Sequence, residues 1–237
     1  MTLSTSSDRN LIGIIGAMKV EIDDVKSRVE NPVTESFSGI DFVRGTISGV
    51  PVVVAMCGVG KVFAAMCAQT MILKYAPTLV INIGVGGSLS KNLNVGDIAI
   101  ANALCQHDMD TSAVGDPIGL ISGVNMVCFP CDKKVVKLFE QCAEKAGLHS
   151  ETGIIASGDI FVNDSVKKRF IVDNFDAISC EMEGAAIAQV CYVNGVEFGV
   201  IRAISDNGDE EGGKTYANAL EVASAAAMKM IYAFLES

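Results

Sequence analysis

Between Ser179 and Asp206 the chain reads SCEMEGAAIAQVCYVNGVEFGVIRAISD, and this stretch restricts the fold more than any other. Glu181-Met182-Glu183 opens it. An Ala-rich apolar run follows, Gly184 to Val190, and then Asn194-Gly195, which predicts a helix and its stop. Val196 to Ile204 is a short Val- and Ile-rich run of the kind that forms a buried strand, and it ends in Ser205-Asp206. A helix therefore starts beside one pair of acids while a strand delivers a third at its carboxyl end. In open α/β sheets that is where ligands bind. Glu181 fits either of two readings, a carboxylate complementing the positive end of a helix or a residue of a site. Glu183 and Asp206, framed by apolar sequence, point to a task, because acids are seldom buried without one.

The same grammar recurs upstream. Leu11 to Ile15 predicts a strand, broken at Gly16-Ala17-Met18. A helix follows on Val20, Ile22, Val25 and Val29, with Glu21 in its first turn. Glu21 is a surface acid complementing the helix or a site residue beside the turn. Strands are predicted over Phe42 to Ile47 and Pro51 to Met56, joined by a tight turn at Ser48-Gly49-Val50. Cys57-Gly58-Val59-Gly60-Lys61 then leads into a helix. It is not a phosphate loop: that motif needs Ser or Thr after the Lys, and Val62 stands there. Further strands are predicted over Pro77 to Gly87, Ile98 to Ala101, Gly153 to Ser157 and Ala177 to Cys180. Helices are predicted over Lys133 to Ala146, Ser165 to Asn174 and Tyr216 to Leu235. Strands that end in glycines or acids and feed helices predict an α/β fold in one domain, residues 11–237, behind a polar extension of residues 1–10. The expected architecture is a three-layer α/β/α domain around a central mixed, mostly parallel sheet.

Thr111 to Pro130 reads as an irregular segment carrying glycines and prolines, long enough to be a binding or interface element. His107, beside Asp108, is read as held by that carboxylate rather than as a catalytic base. The eight cysteines sit mostly in apolar patterns, where thiols act as small hydrophobes. Cys128-Phe-Pro-Cys131 lacks the second ligand pair a structural zinc site needs.

A formal charge of -10 argues against nucleic acid and anionic lipid as partners. Lys167-Lys168-Arg169 reads as a solvated helix face. No apolar run reaches the ~18 residues of a membrane span, and the cysteine usage suits a reducing compartment, so the expectation is a soluble, cytoplasmic chain.

Five motifs together carry a resemblance. Gly13-Ile14-Ile15-Gly16-Ala17-Met18 with Glu21, Gly58-Val59-Gly60-Lys61, Ser157-Gly158-Asp159-Ile160-Phe161, Glu181-Met182-Glu183 and Arg202-Ala203-Ile204-Ser205-Asp206 stand in the order found in the nucleoside phosphorylase/hydrolase superfamily. The chain most resembles its branch of 5′-methylthioadenosine/S-adenosylhomocysteine nucleosidases, over residues 11 to 235. The resemblance implies a nucleoside phosphorylase-like fold, a homodimer, a small nucleoside substrate, and neither cofactor nor metal. It implies hydrolysis of an N-glycosidic bond to release adenine, in methionine salvage and methyl-cycle detoxification.

By position, Asp206 resembles the acid that protonates the leaving adenine at N7, and Glu21 the base that activates water, supported by Arg202. Glu183 resembles the carboxylate that binds the ribose hydroxyls, and Met182 lines the sugar pocket. Phe161 would stack on adenine with Val162 and Ser205 nearby, Val59 would touch the 5′-thio group, and Val85 and Gly86 would line the site. Phe129 would lend apolar surface to the partner subunit's pocket. The turn Asn82-Ile83-Gly84-Val85 lacks the Arg with which phosphorylases grip phosphate, which favours hydrolysis, and Val85 stands where many nucleosidases carry Ser or Thr. Phosphorolysis, a futalosine-type substrate and a non-catalytic nucleoside-binding protein are the alternatives.

Overall fold

The computed structural model describes residues 11–237; the polar extension over residues 1–10 lies outside the described residues. Among the described residues there are ten strands and six α-helices. They are β1 (Ile12–Gly16), α1 (Lys19–Ser27), β2 (Glu30–Phe37), β3 (Ile40–Ile47), β4 (Val50–Met56), α2 (Lys61–Tyr75), β5 (Leu79–Ser88) and β6 (Ile98–Gln106). After these come β7 (Cys128–Pro130), α3 (Lys133–Ala146), β8 (Ser150–Ser157), α4 (Ser165–Phe175), β9 (Ala177–Glu181), α5 (Gly184–Asn194), β10 (Glu197–Asp206) and α6 (Gly212–Leu235). Most predicted elements are present within a residue or two of their expected ends. Two strands were not predicted: β7 falls at the end of the segment expected to be irregular, and β2 is almost wholly exposed, so it carries no alternating apolar face.

The sheet is mixed. β1 pairs in parallel with β4 and β5, and β3 and β2 extend this side in antiparallel fashion. On the other side the strands close on themselves. β5 pairs in parallel with β10, β10 antiparallel with β6, β6 in parallel with β8, β8 in parallel with β9, and β9 antiparallel with the last residues of β5. The result is an open wing joined to a five-strand ring, with β5 shared by both. Closure leaves β10 no free edge, and β10 carries Arg202 and Asp206.

Side-chain alternation sorts the core into two main layers. Ile15, Val53 and Ala55 face a cluster with Ala64 and Met71 of α2 and Ala185 and Ile187 of α5. Ile14, Val52 and Val54 face the other way, toward Ile22 of α1, Phe139 of α3 and Ile231 of α6. β5 is buried along its whole length, as expected for a strand covered on both faces. Helix ends follow local chemistry. Asp132 caps α3 by accepting from Lys134 N and Val135 N, a contact worth about 1 kcal/mol, and Gly195 ends α5 at a positive φ of 67°.

Candidate active site

The ends of β1, β5, β9 and β10 converge on a cleft of about 200 Å³. Its lining includes Met18, Glu21, Val59, Val85, Gly86, Phe161, Val162, Glu181, Met182, Glu183, Ser205, Asp206 and Tyr216. Ten of the expected site residues are thus brought together: Glu21, Val59, Val85, Gly86, Phe161, Val162, Met182, Glu183, Ser205 and Asp206.

Glu21 does both things the sequence allowed. Its Oε2 accepts from Ala17 N and Met18 N, each at 2.9 Å, which is the reach-back half of a capping box at the start of α1. Its Oε1 accepts from Val85 N at 3.0 Å and so ties α1 to β5. Burial pushes its carboxyl above the usual range, with the Arg202 charge and the three N–H donors acting in the opposite sense. The approach to β5 is close: a Cβ at Gly84 would lie 2.7 Å from Oε1. The hydroxyl absent at Val85 is not what fixes this carboxylate, because the backbone N–H does.

Asp206 sits at the carboxyl end of β10, where its Oδ1 accepts from Gly208 N and its Oδ2 from the Ser205 hydroxyl, each at 2.9 Å. Burial raises its pKa against both hydrogen bonds, so the site favours the protonated acid more than water does. Gly87 leaves room for it, since a Cβ there would stand 2.9 Å from Oδ1.

Arg202 is buried behind the cleft rather than in its lining. Its Nη2 donates to the carboxylates of Glu181 and to the side-chain oxygen of Asn82, and lies 3.9 Å from Glu183 Oε2. Its Nη1 donates to Ile201 O at 2.9 Å. Asn82 is anchored in turn through Nδ2 to Ile15 O at 2.9 Å. The cation supports the acids of the site as a group, and its direct ion pair is with Glu181, not Glu21. Glu181 also accepts from the Ser157 hydroxyl and from Glu183 N and Gly184 N, so it caps α5 while neutralising Arg202.

Glu183 is held more loosely, by Gly60 N at 2.9 Å. Burial and the neighbouring Glu181 push its carboxyl up to about 7, Arg202 pulling the other way.

Phe161 is 41% exposed at the rim and meets Tyr216 edge-on, with ring centroids 5.5 Å apart. Tyr216, which the sequence marked only as the start of a helix, faces the cleft with its hydroxyl 3.4 Å from Met18 Sδ. The signal for it was faint: one aromatic in an Ala-rich helix.

Two expectations are corrected. Phe129 is fully buried within its own chain, opposite Leu104 on β6 and packed against Tyr192 at 5.6 Å, so it offers no surface to a partner's pocket. A glycine- and proline-bearing neighbourhood suggested a loop, but the residue belongs to β7. His107 is also buried outside the lining, its ring against the backbone of Gly158, where a Cβ would lie 2.4 Å from Cε1. Asp108 does not hold it as expected: among the described residues neither of its ring nitrogens has a hydrogen-bond partner, Asp108 instead accepting from Lys61 Nζ and Asp159 N, and burial lowers its pKa, keeping it neutral. Among the described residues no group of three or more His, Cys, Asp or Glu side chains is placed to hold a metal ion.

The arrangement offers chemistry of one kind. Among the described residues four carboxylates (Glu21, Glu181, Glu183 and Asp206) line the cleft, and no Lys or Arg does. Two of the acids, Glu21 and Asp206, belong to the ends of different elements, and both are pushed toward the proton-holding form by burial. Such a pair can give a proton to one part of a bound molecule and take one from another.

Comparison with known proteins agrees with this geometry. The sequence matches the phosphorylase superfamily over residues 11–236. It is 39% identical over 201 residues to the 5′-methylthioadenosine/S-adenosylhomocysteine nucleosidase of Shewanella halifaxensis, covering 84% of this chain and 87% of that one. The fold superimposes on the nucleosidase of the same name from Neisseria meningitidis, solved in complex with methylthio-immucillin-A, with a TM-score of 0.92 and 34% identity, covering 96% of this chain and 99% of that one. It is as close to the futalosine hydrolase of Helicobacter pylori, with a TM-score of 0.92 and 33% identity over 98% of this chain and 99% of the other.

Proposed function

The chain belongs to the phosphorylase superfamily, and on that premise we propose that it is a hydrolase releasing adenine from 5′-methylthioadenosine and S-adenosylhomocysteine. The observation that carries the reading is the cleft lined, among the described residues, by four carboxylates and no cation. Inorganic phosphate is an anion that needs charged or N–H donors, and here it would meet like charge instead. Water has no such requirement.

In this reading Asp206 donates its proton to N7 of adenine as the N-glycosidic bond breaks. The base then leaves neutral rather than as an anion. A positioned acid of this kind contributes about 10²- to 10⁴-fold. Positive charge grows on the sugar, and Glu183, beside the ribose hydroxyls, stabilises it where it develops. Glu21 takes the proton from the attacking water, whose oxygen bonds to the anomeric carbon. Met182 and Val85 pack on the sugar, Phe161 with Val162 and Ser205 borders the base, and Val59 meets the 5′ substituent. Arg202 acts through Glu181 and Glu183 and is a positioning residue.

We infer a homodimer as well. Val62, Phe63 and Met66 on α2 and Tyr192 and Val193 on α5 are exposed apolar side chains on two helices that pack together. They continue from Val59 at the mouth of the cleft, and an apolar surface of this kind supports a partner. Eight free thiols among the described residues, together with the absence there of any helix long and apolar enough to cross a membrane, support a cytoplasmic site of action.

The deciding assay is adenine release from methylthioadenosine with and without phosphate, for the wild type and Asp206→Asn. Release in phosphate-free buffer that collapses in the variant is the expected result. Strict dependence on phosphate would replace hydrolysis with phosphorolysis, and no release from any adenosine thioether would remove the proposal. Likeness to a futalosine hydrolase favours one second reading, hydrolysis of a nucleoside with a different 5′ group. A higher kcat/KM for futalosine than for methylthioadenosine would establish it.

A further inference from the structure

Strands β6 and β7 set two cysteines directly opposite one another, Cys105 against Cys128. The kind of pairing follows from the register. Cys131 N donates to Asn102 O at 2.9 Å, and Pro130, opposite Ala103, has no N–H to exchange. Antiparallel pairs alternate between hydrogen-bonded and non-hydrogen-bonded, so Ala103–Pro130 is of the second kind, Leu104–Phe129 of the first and Cys105–Cys128 of the second again. In that narrow pair the Cα atoms stand about 4.5 Å apart with both side chains on one face, within the separation a disulfide spans.

The surroundings fit that geometry. Both thiols belong to the same small apolar cluster, with Ala156 and Ile118, and they interact directly. Cys105 is buried and Cys128 half-buried, so one residue of the pair lies nearer the surface than the other. The interaction with the neighbouring Cys105 thiol draws the Cys128 thiol down to about 7, while the other buried cysteines Cys57, Cys67, Cys131, Cys142, Cys180 and Cys191 are all pushed up by burial. Cys131, which the sequence joins to Cys128 in a Cys-x-x-Cys, lies just past the end of β7 and packs with Phe129 in the main core, on the other side from Cys128.

We propose that Cys105 and Cys128 form a reversible thiol-oxidation site, at which a peroxide-class oxidant closes a cross-strand disulfide between β6 and β7. The Cys128 thiolate attacks one peroxide oxygen, the O–O bond breaks, and the departing hydroxide leaves as water, giving a sulfenic acid. The Cys105 sulfur then attacks the Cys128 sulfur, the S–O bond breaks and a second water departs. Two thiols are oxidised by two electrons, and one peroxide is reduced to two waters. The bond would clasp the neck of the segment 106–127. That segment includes Asp108, which holds Lys61 Nζ at 2.6 Å and Asp159 N at 2.9 Å beside the cleft mouth. Oxidation therefore reaches the edge of the site without touching its acids.

The test uses the full-length protein, treated with stoichiometric hydrogen peroxide and then unfolded for thiol counting and peptide mass mapping. The expected result is a fall from eight thiols to six, one linked peptide pair containing Cys105 and Cys128, and full return to eight with dithiothreitol. Cys105→Ser and Cys128→Ser should each release adenine as the wild type does, which shows that they fold, and each should form no linkage. The proposal is overturned if all eight thiols survive, if Cys128 proceeds to sulfinic acid with Cys105 free, or if the linked pair involves any other cysteine.

Discussion

The floor and the mouth of the cleft are built on opposite terms. On the floor Arg202, Glu181, Asn82, Ser157 and Glu21 are all buried, and the charges are tied to backbone or to one another. At the mouth Val59, Ile160 and Phe161 are exposed and apolar. There Lys61, Asp108 and Asp159 supply the polar order. A dry floor makes each charge expensive to misplace, because a carboxylate there has no water to fall back on. A wet mouth tolerates change. Chemistry is therefore expected to depend on the floor, and the choice of 5′ substituent on the mouth.

That contrast breaks if a floor substitution proves mild or a mouth substitution proves severe. The largest effect is expected for Asp206→Asn, a loss of about 10²- to 10⁴-fold in kcat for adenine release with KM nearly unchanged. An equal loss from Phe161→Ala would erase the distinction. Arg202→Met comes next. It leaves Glu181 buried without its cation and should cost about 3–5 kcal/mol, read as a lower urea midpoint.

Third is a pH effect. The Glu183 carboxyl rises from 4.5 unfolded to about 7 folded, so its contribution to stability is complete below pH 4.5 and is lost as pH rises to about 7. For the empty protein that slope amounts to ~3 kcal/mol, and Glu183→Gln should flatten it in denaturation curves taken across the window. Glu21 and Asp206 contribute slopes of the same sign and should survive the substitution. Phe161→Ala should raise KM about fivefold with little change in kcat, since the proposed stacking of the ring on the base is worth roughly 1 kcal/mol. Smallest is Val85→Thr. Glu21 is already fixed by the N–H of this residue, so kcat/KM should stay within about twofold in the same assay.

What the sequence revealed follows the same division. Glu183 and Asp206 stood out because they interrupt apolar runs, and the glycines beside predicted strands located the turns. Arg202 was legible only through the motif that contains it. Its true partners were hidden: Glu181 looked like a helix-end acid, and it is one, but the ion pair reaches across from β9 to β10. Asn82 was noticed for the Arg it is not, whereas its side chain fastens Arg202 to β1. Periodicity reports which face of an element is apolar; it carries no sign of which distant polar atoms meet across a ring of strands. The same limit applied at Phe129, where the prolines and glycines around a three-residue strand masked its burial. It applied at β2 too, which has no buried face to announce it.

Strand β10 is the last strand of the chain, yet it lies between β5 and β6 and closes the ring. A ribosome thus makes Glu21, Glu181 and Glu183 before Arg202, the cation they share, and makes Asp206 later still. A nascent chain ending anywhere before residue 197 carries three acids destined for the interior and no counter-charge to bring them there. Such a chain has neither the proposed proton donor nor a closed pocket in which to use one. A chain cut before β10 therefore lacks at once the cation its buried acids share, the proposed proton donor and the strand that closes the ring.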